Sequence, residues 1–124
     1  MKVKKLSIGI RSVDEVMGDF VETAKAIERG EHATPKKGLY FIDLRAFRRA
    51  LTDQRLALLR AIRSNNPDSV YALAKVVMRD VKNVSADLAI LEQLGVVELM
   101  KTKTPRGKVK PTVPYDSINL DIAV

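Results

Sequence analysis

Ser69-Val-Tyr-Ala-Leu-Ala-Lys-Val-Val-Met-Arg-Asp-Val-Lys-Asn-Val-Ser-Ala-Asp-Leu-Ala-Ile-Leu-Glu-Gln-Leu-Gly95 is the stretch on which the fold turns. Val70, Leu73, Ala74 and Val77 keep the spacing of one helical face. Met78 and Arg79 form a tight connection. Asp80 can cap a further helix whose inner face is Val81, Val84, Leu88 and Leu91, and Gly95 ends it. Upstream, Thr52 caps a helix with Leu56, Leu59 and Ile62 on one side, and Asn65-Asn-Pro-Asp-Ser69 is a turn ending in a cap. Downstream, Val96, Val97 and Leu99, then Val109, Thr112 and Val113, predict two strands joined by a basic segment, with Gly107 suited to the hairpin tip. Three short helices and a basic hairpin are the layout of a winged helix-turn-helix over residues 52–113.

The flanking segments add a second set of elements. Leu6, Ile8 and Ile10 alternate with polar residues, as in a strand with one buried face. Ser12-Val-Asp-Glu15 reads as a capping box. Val13, Val16, Met17, Phe20, Ala24 and Ile27 then repeat at helical spacing, and Gly30 marks the stop. Leu39 to Ile42 predicts a short strand, followed by a short helix carrying Leu44, Phe47, Ala50 and Leu51. In the last segment, residues 114–124, the side chains of Ile118, Leu120, Ile122 and Val124 alternate without a break and need a sheet to join. The expected class is α+β: a winged helix-turn-helix with an added amino-terminal strand and helix (residues 1–51) and a carboxy-terminal strand forming a small accessory sheet.

Composition narrows the function classes. At 124 residues there is room for one ordinary domain with a small extension. The 46% hydrophobic share supports a core, and with only 5% aromatic residues that core is aliphatic. Cysteine is absent, which excludes disulfides, thiol catalysis and zinc–thiolate sites. No apolar run is long enough to span a bilayer, so no membrane partner is expected. No signal peptide is expected either, and the expected location is cytoplasmic. The net charge is +7, and its densest patch is Lys101, Lys103, Arg106, Lys108 and Lys110, with no acid among them. A basic patch of this kind gathers polyanions by counterion release.

A resemblance adds to this reading. The runs Ala50-Leu-Thr-Asp-Gln-Arg-Leu-Ala-Leu-Leu-Arg-Ala-Ile62, Ser69-Val-Tyr-Ala-Leu-Ala, Arg79-Asp-Val-Lys-Asn-Val-Ser-Ala-Asp-Leu88, Leu91-Glu-Gln-Leu-Gly95 and Pro114-Tyr-Asp-Ser-Ile118 resemble a family of predicted prokaryotic winged-helix transcriptional regulators. That family is distantly similar to the MarR and ArsR groups. The resemblance spans roughly residues 38–118, and Arg-Asp-Val-Lys-Asn-Val is its distinctive part. It implies DNA binding. It also implies an alternative role as the antitoxin of a two-gene pair, binding a small toxin protein and autoregulating its operon.

The residues themselves suggest how double-stranded DNA would be held. A helix turns by about 100° per residue. With the aliphatic face of residues 80–94 inward, Lys82, Asn83, Ala86, Ala89, Ile90 and Gln93 point outward. The first half of a recognition helix reaches base edges in the major groove. Lys82 can bond guanine acceptors or a phosphate, Asn83 can pair with adenine, and Ala86 permits close approach and can meet a thymine methyl. Arg79 and Ser85 are assigned to phosphate. Lys101, Lys103, Arg106 and Lys108 on the hairpin would contact phosphate or enter the minor groove, and phosphate contacts fix register rather than choose sequence. Asp87 lies off the outward centre, where a basic neighbour can pair with it.

Nothing comparable points to catalysis. His32 is the only histidine and falls in a loop, the carboxylates occur singly or in caps, and no phosphate-binding glycine loop or nucleophile motif is present. The expectation is a non-enzyme without metal or cofactor: a transcriptional regulator that acts as a homodimer. The surplus elements (strand 5–11, helix 13–30 and strand 118–124) would build the dimer, with the last strand paired to the first in the same chain or in its neighbour.

Overall fold

The protein is described here by a computed structural model covering residues 4–32, 39–102 and 108–124. It is an α+β chain that divides into two compact units, residues 1–6 with 49–117 and residues 7–48 with 118–124. Among the described residues, no helix is long and apolar enough to cross a membrane.

The smaller unit is built on three strands, β1 (Lys5–Ile10), β2 (Leu39–Phe41) and a last strand, Ser117–Ile122, in the order β2, β1, last strand. β1 and β2 are parallel, with Ile8 opposite Leu39 and Ile10 opposite Phe41. A parallel pair needs a crossover, and helix α1 (Val13–Glu28) supplies it. The last strand also runs with β1. Asp116 N–H donates to Lys4 O at one end, and Ala123 N–H donates to Ile10 O at the other. The carboxy-terminal strand therefore pairs with the first strand of its own chain. Arg11 ties the far ends together through Asp121, at 2.8 Å from Nη2 to Oδ2. That hydrogen bond, first, and the Asp121 charge raise the Arg11 pKa further, so it stays a cation. Ile8 and Ile10 fill the interior, and Gly9 between them lies opposite Tyr40. Helix α2 (Leu44–Ala50) starts at Asp43, whose carboxylate accepts from Ala46 N–H at 2.7 Å, and Phe47 meets Phe41 edge to face.

α1 departs from expectation. Ser12 caps it by accepting from Glu15 N–H. The other half of the expected capping box is not formed as drawn, because the Glu15 carboxylate lies toward Arg11 Nε at 3.9 Å. More tellingly, none of its sixteen residues is buried. The amphipathic stripe is there, but among the described residues nothing buries it.

The larger unit holds α3 (Asp53–Asn65), α4 (Val70–Val77), α5 (Val81–Gln93) and an antiparallel pair, β3 (Glu98–Lys101) with β4 (Val109–Thr112). Thr52, Ser69 and Asp80 cap the three helices by accepting from Arg55, Ala72 and Lys82 N–H groups. Met78 takes the left-handed conformation at φ 56°, which turns the chain between α4 and α5 within three residues, Met78 to Asp80. Gly95, at φ 78°, ends the helical run, as expected of a glycine there. The core is Leu58, Leu59, Ile62, Leu73, Ala74, Val84, Leu88, Leu91, Val96 and Val97. Two positions differ from the sequence reading. Leu58 is fully buried where Leu56 was expected, because α3 is gripped on two sides and buries a wider face. Val81 is 36% exposed rather than core, since it lines an open cleft beside the start of α4.

Candidate nucleic-acid interface

Three of the candidate base-reading positions stand together. Lys82, Asn83 and Ala86 are exposed on one side of α5, opposite the buried Val84, Leu88 and Leu91. Among the described residues the side chains of Lys82 and Asn83 make no hydrogen bond or ion pair; the Lys82 backbone N–H is taken by the Asp80 cap at 2.8 Å. Two hydrogen-bonding groups and a small methyl are thus presented outward, on a helix whose position is fixed from behind.

Ser85 is exposed too, on a different flank. With Val81 and Leu88 it forms one wall of a cleft of about 700 Å³. The opposite wall is the start of α4, with Ser69, Tyr71 and Lys75, and the hairpin contributes Leu99, Lys108 and Val109. Lys75 Nζ sits 4.7 Å above the Tyr71 ring. Lys108 reaches Asp68 at 3.8 Å with both side chains largely exposed, a loose pair that solvent screens. The cleft therefore has an apolar floor, with the hydroxyls of Ser69, Tyr71 and Ser85, the two lysines and the Asp68 carboxylate, which faces Lys108, around it. The i,i+4 spacing of Tyr71 and Lys75 was legible in the sequence, but their place beside α5 was not. Lys101 is exposed at the end of β3. Lys103 and Arg106 lie outside the described residues.

Arg79 is placed differently from its expected role on phosphate. Its guanidinium is turned to Asp87, Nη2 to Oδ2 at 2.8 Å, and is only 23% exposed. Its Nη1 is buried without a hydrogen-bond partner among the described residues. Asp87 accepts a second cation on its other oxygen, Arg55 Nε at 3.1 Å. Arg55 Nη1 in turn donates to the carbonyls of Arg49 and Ala50 at 2.9 Å each. One carboxylate on α5 is thus held between α3 and the turn before α5, and its charge is compensated by two guanidinium groups. No sequence signal marks a pair separated by thirty-two positions.

A second anchor lies at Asp116. It accepts from Lys4 N–H at 2.9 Å and from Arg63 Nη2 on α3, while Asp116 N–H donates back to Lys4 O. The Lys4 hydrogen bond, first, and the Arg63 charge hold its carboxyl below the ordinary range. His32 is exposed, and among the described residues no three His, Asp or Glu side chains converge on a point that could hold a metal ion.

No curated protein and no solved structure matches the chain. A family model does match, over residues 50–120, and it takes in the three helices, the hairpin and most of the last strand. That is more than half of the sequence, and the chain belongs to the HVO_A0114 family.

Proposed function

We propose that the protein is a sequence-specific DNA-binding transcriptional regulator, in which α3, α4, α5 and the β3–β4 hairpin act as a winged helix-turn-helix. α5 enters the major groove, and the basic hairpin lies on the backbone. The observation that carries this reading is the face of Lys82, Asn83 and Ala86, outward and unengaged among the described residues, on a helix where Asp80 serves as the cap and Asp87 is matched by two arginines. A free carboxylate at Asp87 would repel a duplex; a carboxylate clamped by Arg55 and Arg79 does not. The cleft beside α5 suits a sugar–phosphate strand: its apolar floor fits deoxyribose, and Ser69, Ser85, Lys75 and Lys108 offer donors to phosphate oxygens. Arg79 leaves the set of phosphate contacts in this reading and becomes a support for α5.

Fluorescence anisotropy with duplexes selected from a random library tests the proposal. Affinity should fall with a log–log salt slope of roughly −0.9 per phosphate contact. Lys82→Ala and Asn83→Ala should relax the selected sequence, each costing about 1–3 kcal/mol of discrimination. Arg106→Ala should weaken all duplexes alike. Binding that ignores salt between low and moderate concentration, or a selection that returns no preferred sequence, sinks the reading.

A further inference from the structure

Among the described residues nothing buries the apolar stripe of α1. Val13, Met17, Phe20 and Ile27 are 54–68% exposed, and Val16 and Val21 about 40%. The less exposed positions of the helix are Thr23 and Ala26, which lie off the stripe. Apolar patches of this length on a folded protein mark a surface that something covers.

We propose that the cover is α1 of a second copy, packed antiparallel about a two-fold axis beside Phe20. Three features of the helix point to a self-complementary partner. The first is register. An axis at Phe20 sets Phe20 against its own counterpart and Val13 against Ile27, so the largest exposed side chains at the centre and ends of the stripe meet one another, with the small Ala24 opposite Val16. The second is charge. At 100° per residue, Asp14 and Lys25 fall on the same edge of the stripe, next to Val21. In an antiparallel pair that edge meets itself reversed, which brings Asp14 of each copy to Lys25 of the other. Among the described residues neither side chain has a partner in its own chain. The third is area. The six exposed side chains leave on the order of 500 Å² per chain, so the pair covers on the order of 1,000 Å², the lower limit for a specific interface. The pairing would give the proposed regulator two half-site readers, but it does not rest on that reading, since it can be measured without DNA.

Sedimentation equilibrium of the full chain is the test. The intact protein should show twice the chain mass at tens of micromolar. Phe20→Glu should be a monomer there, and at dilutions where both proteins are monomeric the two should unfold alike, because Phe20 lies outside the core. Asp14→Lys and Lys25→Asp should each weaken self-association about tenfold, and an equimolar mixture of the two should regain the dimer as a heterodimer. Three results overturn the proposal. The intact chain could remain a monomer, as it would if α1 served only another protein. The dimer could survive Phe20→Glu, placing the interface elsewhere. Or the two charge variants could fail to rescue one another, removing the antiparallel arrangement. Loss of DNA binding with an intact dimer would count against the regulator reading alone.

Discussion

Asp87 is the residue on which the position of α5 should depend most. Asp87→Ala removes one carboxylate and leaves two guanidinium groups facing each other. Arg55 keeps its bonds to the carbonyls of Arg49 and Ala50, so its loss is partial. Arg79 keeps no side-chain partner, and its Nη1 already lacks one. Breaking a fully buried ion pair costs about 3–5 kcal/mol. Here the three side chains retain 15–23% exposure, and water reaches part of the stranded charge. The expected loss is therefore about 2–3 kcal/mol, with a fall in melting temperature of about 10–20 °C for a unit of this size. Urea unfolding followed by circular dichroism measures it. A cycle with Arg79→Ala should show that the two changes do not add, because the second removes the charge that the first strands. Arg79→Ala alone should lower stability and leave the salt slope of DNA binding as it was. A cost for Asp87→Ala below about 0.5 kcal/mol would refute the clamp, since that is the range of surface substitutions far from any special feature. A reduced salt slope for Arg79→Ala with unchanged stability would return Arg79 to the phosphate contacts.

Three further expectations concern the scaffold. Gly9→Ala should destabilise the small unit, because its Cβ would stand 2.8 Å from the Tyr40 ring; the loss should shrink when Tyr40 is also changed to Ala, as unfolding of the pair of variants will show. Gly18→Ala should stabilise the protein by about 0.5–1 kcal/mol, since nothing lies within 4 Å of the added Cβ and glycine is costly within a helix; a lower melting temperature would mean that α1 is covered closely at that point. The depressed carboxyl of Asp116 contributes stability in full above the ordinary aspartate range, and that contribution is lost as pH falls through the lower folded value. Asp116→Asn should flatten this acid limb of the stability profile, and an unchanged limb would remove Asp116 from the anchor.

What was legible in the sequence was what is local. Ser12, Thr52, Ser69 and Asp80 were readable as caps because a cap is decided by one side chain and an N–H two or three residues on. Exposure of Lys82, Asn83 and Ala86 followed from helical geometry once Val84, Leu88 and Leu91 were taken as inward. What needed coordinates was everything decided at a distance. Val81 and Leu56 were placed one step off the buried face, since spacing gives the direction of a stripe but not its width. Arg79 could turn outward to a phosphate or inward to a carboxylate, and the choice is made by Asp87, which the sequence separates from it by two helical turns. α1 is the instructive case. Its pattern of Val13, Met17, Phe20 and Ile27 is a correct reading of an amphipathic helix, and the inference usually drawn from such a pattern is burial in the same chain. Here the helix bridges two parallel strands, which fixes where it must run but leaves the stripe uncovered. Periodicity reports that a face needs a partner; it carries no information on whether that partner shares the chain. The row Ile118, Leu120 and Ile122 posed the same question; its backbone pairs internally beside β1, while Leu120 and Ile122 stay 38% and 48% exposed. Backbone pairing satisfies that strand within one molecule, whereas α1 already has all its backbone bonds and seeks only apolar cover. An element of that kind is the one through which a small protein can join another without unfolding.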